Sequence, residues 1–364
     1  MKLIHCADLH LDSKMSANLT KEQAKERKNE LLRTFVHMVD YAKQNDVYGI
    51  LISGDLFDTR TVSATTKNVV KGEIETHPEI QFFYLKGNHD DDSFVSKLDT
   101  VPENLHLFSD EWTKYTHNGV TIAGLELSEE NLATRYHSLV LSYDEYNVVM
   151  LHGQLAGYQT KDRAEIISLD DLAFKNIDYL ALGHIHSMQT GTIGTDKRGM
   201  YAYPGCLEGR GFDECGEKGF ILLDIDEQTQ TAEYRFVPIA SRTIYELHVD
   251  VTGIANSNEA ARKIEAAINE NQYSNRSLVK IVLTGELDVE CEINTEYLAE
   301  LFTEYFYYLK VVDETTLLIR YQDYEKDESL KGEFVRTVMR SDMTDEQKTE
   351  VIRCGILALS GEDF

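Results

Sequence analysis

Apolar residues in the first half of the chain fall into five short runs, and each run ends on a residue able to bind a metal ion. Leu3-Ile4-His5-Cys6-Ala7 leads into Asp8 and His10, and Ile50-Leu51-Ile52-Ser53-Gly54 into Asp55. Phe82-Phe83-Tyr84-Leu85-Lys86-Gly87 leads into Asn88 and His89, Val148-Val149-Met150-Leu151 into His152, and Tyr179-Leu180-Ala181-Leu182-Gly183 into His184 and His186. Short runs of this composition predict buried strands. Between them the spacing turns helical over Glu22–Lys43, with Leu31, Leu32, Phe35, Val36, Val39 and Ala42 on one face, and again over Thr59–Ile74. Asn104–Phe108 and Val120–Leu127 predict further strands, and Ser168 opens a helix with Asp170 and Asp171 in its first turn. Strand alternating with helix is the signature of a layered α/β domain, whose ligands gather at the carboxyl edge of the sheet. After His186 the pattern predicts antiparallel strands at Met200–Tyr203, Gly219–Asp226 and Glu233–Pro238. The expectation is two packed sheets with helices outside.

The first domain is expected over 1–240. A small α+β module over 241–323 follows: strand Ile244–Val251, helix Asn258–Asn271, strand Leu278–Leu283, helix Thr295–Phe306, and a strand pair Tyr308–Val312 and Thr316–Tyr321 around Asp313-Glu314. A helical C-terminal segment, 324–364, carries one stripe of Phe334, Val335 and Val338 and a second of Val351, Ile352, Ile356 and Leu357 after Thr344, a good N-cap.

With 364 residues, 42% of them apolar, the chain can bury a catalytic core and a smaller module. No apolar run reaches the eighteen residues or so that a membrane span needs. The start of the chain lacks the layout of a signal peptide, and five scattered cysteines, odd in number and without CxxC spacing, suit reduced thiols. A cytoplasmic location is the expectation, with no membrane partner. The net charge of −27 opposes a polyanionic partner, unless divalent cations reverse the local potential or a partner protein supplies a basic surface.

The donor set changes that picture. Asp8, His10, Asp55, Asn88, His152, His184 and His186 offer carboxylate, imidazole and amide oxygen, which suit Mn²⁺, with Fe²⁺ or Zn²⁺ as alternatives. Seven donors exceed what one tetrahedral ion takes. Two divalent ions sharing a carboxylate fit better, and that arrangement clamps a phosphorus centre during in-line displacement. His89, beside Asn88 but not required as a ligand, fits a proton donor to the leaving oxygen; the alternative is a residue that orients a ligand. Arg60, Lys86 and Arg210 are candidates for substrate phosphate contacts, or equally for surface ion pairs. Asp12 and Asp58 suit turn and cap roles or contacts behind the ligands, and Asp90-Asp91-Asp92 either repels a bulky polyanion or is solvated.

Asp8-Leu9-His10, Gly54-Asp55-Leu56-Phe57-Asp58, Gly87-Asn88-His89-Asp90, His152-Gly153 and Gly183-His184-Ile185-His186 together resemble the five signature blocks of the calcineurin-like metallophosphoesterase superfamily. The resemblance implies a four-layered β-sandwich flanked by helices. It implies that Asp8, His10 and His186 bind one ion, that Asn88, His152 and His184 bind the other, that Asp55 bridges both, and that His89 is catalytic. Asp8-Leu9-His10-Leu11-Asp12, Gly54 to Thr59, and Tyr203-Pro204-Gly205 followed by Arg210, Glu214 and Lys218-Gly219-Phe220 are similar to bacterial DNA-repair exonucleases of the SbcD type, including a YhaO-like Gram-positive branch. That similarity implies a DNA exonuclease, with endonuclease action also open, a capping domain after residue 241, a helical tail placed for an SMC-like coiled-coil ATPase, and room for a homodimer. Asp58 stands where archaeal and eukaryotic relatives carry a second histidine. The alternatives are a nucleotide or small-molecule phosphodiesterase or phosphatase on the same centre, and a non-catalytic scaffold, which the intact set of ligand residues disfavours.

Overall fold

The computed structural model describes residues 1–15, 19–58, 62–98, 100–156, 165–194, 198–288, 291–318, 324 and 326–360. Its contacts divide the chain into two units, Met1–Thr243 and Ile244–Phe364. The first unit is built on two six-stranded sheets. In one, β1 (Lys2–Cys6), β2 (Gly49–Ser53), β3 (Gln81–Leu85) and β4 (Leu105–Leu107) lie parallel, and β13 (Gly219–Asp226) and β14 (Thr231–Pro238) extend the sheet antiparallel. In the other, β6 (Val120–Gly124), β7 (Tyr146–His152), β10 (Tyr179–Gly183) and β12 (Gly199–Tyr203) lie parallel, edged by antiparallel β5 (Thr113–His117) and β11 (Gln189–Ile193). A short separate ladder pairs β8 (Gln154–Leu155) with β9 (Ile166–Ile167).

Strand side chains alternate between faces, and this explains why the runs are apolar throughout. Leu3, Leu51, Phe83, Val148, Met150, Tyr179 and Ala181 meet between the sheets. Their neighbours Ile4, Cys6, Ile50, Ile52, Phe82 and Tyr84 face helices α1 (Lys21–Gln44) and α2 (Ala64–Thr76) through Leu31, Phe35, Met38, Val70 and Ile74. The outer face of the second sheet, Val149, Leu151, Leu180 and Leu182, is covered by Leu139, Ile167 and Leu172, the last on the short helix α3 (Leu169–Leu172). Burial on both faces is the rule for parallel strands. Thr20 closes a capping box on α1, and Ser63 caps α2. The predicted antiparallel strand at Met200–Tyr203 is corrected: β12 runs parallel to β10 and antiparallel only to β11. Neither β5 nor β11 is announced by an apolar run, because both are edge strands in which exposed side chains alternate with partly buried ones.

Helix α1 is tied to the end of this unit by a buried ionic network. Arg27, 1% exposed, donates to Glu30 Oε2 at 2.6 Å, Glu208 Oε1 at 3.0 Å and the Gly209 carbonyl at 2.5 Å. Glu208 also takes Thr34 Oγ1 and the backbone N–H of Ser241 and Arg242, and Glu30 takes the Arg242 guanidinium. Removing one partner of a buried ion pair strands the other charge. Arg27→Met is therefore expected to destabilise the chain by about 3–5 kcal/mol in urea unfolding. A loss below about 1 kcal/mol would put the network on a par with surface pairs.

In the second unit, β15 (Ile244–Asp250), α4 (Ser257–Asn271), β16 (Leu278–Thr284), α5 (Thr295–Phe302) and β18 (Tyr308–Asp313) form a three-stranded, all-parallel sheet with its crossover helices. Ile264, Ile268, Leu298 and Phe302 cover it. The predicted strand pair around Asp313-Glu314 is not made. β19 (Thr316–Leu318) pairs instead with β17 (Glu286–Asp288), which follows β16 past Gly285. Gly285 has φ +106°, a conformation open to glycine at no steric cost, and turns the chain from β16 into β17. The rest of the strand expected over Thr316–Tyr321 lies outside the described residues. Helices α6 (Leu330–Met339) and α7 (Asp345–Ser360) bury Val335 and Val338 against Ile352 and Ile356, so the two apolar stripes meet each other. Among the described residues no helix is long and apolar enough to cross a membrane.

Candidate metal centre

The carboxyl ends of β1, β2, β7 and β10, with the loop after β3, bring the expected donors together in the first unit. Tight turns do this at a conformational cost. Asp8 (φ 52°), His10 (44°), Asp12 (73°), Asp55 (52°) and His184 (105°) all adopt left-handed backbone, worth about 1–3 kcal/mol of strain each. Gly183 ends β10 where a Cβ would collide with the Ser53 carbonyl, so the two sheets meet closely enough for donors from both to share one space.

Asp55 sits at the middle. Its Oδ1 accepts the His89 backbone N–H at 2.9 Å, and its Oδ2 stands 3.7 Å from His10 Nε2 and 3.4 Å from His152 Nε2. His10 Nε2 and His186 Nε2 face each other at 3.2 Å, with Asp8 Oδ1 3.8 Å from the latter. On the other side His152 Nε2 and Asn88 Oδ1 are 3.0 Å apart. The His184 backbone N–H donates to both Asp8 oxygens, and its ring lies edge-on to His152 with centroids 5.4 Å apart. Two three-residue groups, Asp8-His10-His186 and Asp8-Asp55-His152, have donor atoms close enough to hold a metal ion, as does a third, His10-Asp58-His89.

These residues fit divalent cations. Donors bound at about 2.0–2.2 Å to one ion stand about 3–3.5 Å from one another, close to the spacings above. Asp8 and Asp55 are 0% and 2% exposed, and among the described residues their ion-pair partners are histidines rather than lysine or arginine. Buried anions without such partners call for another cation. The electrostatics run the same way. Burial pushes Asp8 up, with the Asp55 charge adding to it. Burial also pulls His152 down, but the Asp55 and Asp8 carboxylates and the Ser53 carbonyl outweigh it and hold the ring at about 9. For Asp55 the cost of burial is outweighed by His152 and His10, which hold it well below the usual carboxylate range. His184 is drawn down to about 4 by burial and by His152.

The other ring nitrogens settle which tautomers are present. His152 Nδ1 donates to the Ser53 carbonyl at 2.9 Å, so Nε2 faces the centre, and a cation bound there would take the place of its proton. His186 Nδ1 is 2.7 Å from Glu214 Oε1. The exposed His89 donates from Nδ1 to the Asp58 carbonyl at 3.2 Å and stacks edge-on against His10, 5.0 Å between centroids, so Nε2 is the nitrogen available to a substrate.

The expected phosphate contacts fare differently. Arg60 lies outside the described residues. Lys86 Nζ is held by Asp92 at 2.8 Å and Glu126 at 3.1 Å. Arg210 spends its guanidinium on Asp58 and Glu214. Asp12 caps α2 through Ser63 and Thr66 and pairs with Lys28. Asp90 is half-buried, and its carboxylate takes the N–H groups of Gly87, Leu56 and Phe57 and so pins the His89 loop to the Asp55 loop. Burial, and then the Asp55 charge, push Asp90 up to about 6 against those bonds. No ligand pattern in the sequence places Asp90 or Glu214 at the centre. The adjacency of Asp90 to Asn88-His89 was its only local signal.

A two-sheet α/β sandwich with carboxylates and imidazoles converging at its strand ends is the framework of a metal-dependent hydrolase. Residues 1–188 match the calcineurin-like phosphoesterase family, and the chain belongs to it. It is 30% identical over 302 residues to the uncharacterized metallophosphoesterase YhaO of Bacillus subtilis, covering 78% of this chain and 72% of that protein. It is 24% identical to the DNA double-strand break repair protein Mre11 of Sulfurisphaera tokodaii, over 78% of this chain and 74% of that one. A subunit of the nuclease SbcCD from Staphylococcus epidermidis is 23% identical over 66% of this chain and 70% of its own length.

Proposed function

We propose that this chain is a metal-dependent phosphodiesterase that acts on DNA as an exonuclease in repair, together with an SMC-like coiled-coil ATPase. The observation that carries the phosphodiesterase reading is the Asp55 carboxylate, set between His10 and His152 with the exposed His89 beside it. Similarity to an Mre11 and to an SbcCD nuclease subunit supports DNA as the substrate.

In this reading Asp8, His10 and His186 would hold one ion, Asn88, His152 and His184 the other, with Asp55 shared between them; Mn²⁺ would suit the mixed donors. Ions held there would supply Lewis acidity toward a phosphoryl group and lower the pKa of bound water. The protein does the rest. Asp8 and Asp55 balance the cationic charge, and backbone N–H bonds to their oxygens hold them in place. His89, with Nδ1 fixed on the Asp58 carbonyl, protonates the leaving oxygen from Nε2.

Labelled single- and double-stranded DNA incubated with the purified chain and Mn²⁺ is expected to shorten from its ends, and a chelator to stop it. The net charge of −27 favours a second reading, a phosphodiesterase for small substrates. Intact DNA alongside rapid hydrolysis of a small phosphodiester would select that reading and reject the first.

A further inference from the structure

We infer that Glu214 and Asp58, joined by Arg210, are positioning residues for one ion only, so that the segment from Tyr203 to Phe220 tightens the Asp8-His10-His186 half of the centre and leaves the His152 half independent. This rests on the dinuclear reading above.

The two halves are anchored by different chemistry. His152 is oriented by a neutral backbone carbonyl, Ser53 O, at the end of a buried strand. His186 is gripped by the 206–218 segment at ring and backbone alike. Its Nδ1 meets Glu214, itself only 3% exposed, and its carbonyl accepts Lys218 Nζ at 2.8 Å and the Cys206 N–H at 3.4 Å. Arg210 Nη2 lies 3.3 Å from the same Nδ1 but donates to Glu214 Oε1 at 2.8 Å, so the imidazole keeps its proton and gives it to Glu214.

His10 completes this half. It is 1% exposed, and among the described residues its Nδ1 has no well-aligned hydrogen-bond partner; the nearest carboxylate oxygen, Asp58 Oδ1, stands 3.2 Å away. A buried ring N–H needs an acceptor, and Asp58 Oδ1 is the carboxylate oxygen within reach of it. Arg210 Nη1 donates to that same Oδ1 at 3.0 Å. One guanidinium thus spans both carboxylates that back the two imidazoles. It offsets their mutual repulsion.

A carboxylate on the far nitrogen of a ligand histidine fixes the tautomer, aims the lone pair and raises its basicity. Here Glu214 gives that support to His186 and Asp58 approaches His10, while among the described residues His152 is backed by a backbone carbonyl instead. The Tyr203-Pro204-Gly205, Arg210, Glu214 and Lys218 pattern in the sequence thereby acquires a physical role, the backing of His186.

The test is Mn²⁺ titration of the full chain followed by electron paramagnetic resonance, with Glu214→Gln, Asp58→Asn and Arg210→Met beside the wild type. The wild type is expected to take two ions with an exchange-coupled signal. Each variant is expected to bind one ion about 10–100-fold more weakly, so that at limiting metal the coupled signal gives way to that of isolated Mn²⁺ while the tighter ion keeps its affinity. Thermal midpoints of the metal-free proteins report folding separately. Should Glu214→Gln fail to fold, Asp58→Asn, at a partly exposed position, carries the test. Variants that bind two ions as the wild type does, or that lose both in parallel, overturn this inference alone. A wild type that takes fewer than two ions overturns the dinuclear reading and this inference with it.

Discussion

Asp55→Asn is expected to lower phosphodiester turnover by about 10³-fold or more, some 4 kcal/mol of barrier, with no gross change in fold. Asparagine keeps the size of the side chain and an oxygen to accept the His89 N–H, so the local backbone has reason to stay. The charge is what goes. Oδ2 of Asp55 faces His10 at 3.7 Å and His152 at 3.4 Å, the only carboxylate oxygen among the described residues that pairs with imidazoles from both halves of the site. It is also the main opposite charge holding His152 up at about 9 against its burial. Without it, two cations a few ångström apart lose their shared counter-charge, and Coulomb repulsion in a buried site is weakly screened. The same variant is expected to lose metal in a titration. Activity within tenfold of wild type would remove Asp55 from the centre.

His89→Ala is expected to fold, to retain metal and to lose about 10²–10⁴-fold in turnover, the usual worth of a general acid or base. Metal retention follows from the geometry, since His89 approaches Asp55 through its backbone N–H, which alanine keeps. The loss should depend on the substrate. A nitrophenyl phosphodiester expels an anion that barely needs a proton, so its hydrolysis should fall least; an alkyl or nucleoside leaving group should suffer most. Equal losses for both leaving groups would assign His89 to orientation of a neighbour rather than to proton donation.

The residues that meet at the candidate site were legible in the sequence because they follow apolar runs, and a strand that ends at a sheet edge delivers its next residue there. Period-2 burial on both faces made those runs continuous, and hence conspicuous. What stayed hidden depends on pairing across long separations. Arg210 reads as a free cation until Asp58, 152 residues earlier, and Glu214 occupy it. Asp90 reads as part of an acidic run until the Leu56 and Phe57 N–H groups find it. Edge strands such as β5, in which exposed side chains alternate with partly buried ones, carry no apolar signature. The misread pair at Asp313-Glu314 has a similar origin: a short acidic turn between two β-rich stretches looks like a hairpin, and only the crossover through α5 makes β18 parallel to β16.

The central claim is that donors from five stretches of backbone share two divalent cations around Asp55. Crystals of the chain soaked in Mn²⁺ and measured at the manganese absorption edge test it most directly. Two anomalous peaks are expected on either side of the Asp55 carboxylate, one against His10 and His186, the other against Asn88 and His152. Well-ordered side chains at those positions with no anomalous density between them would contradict it.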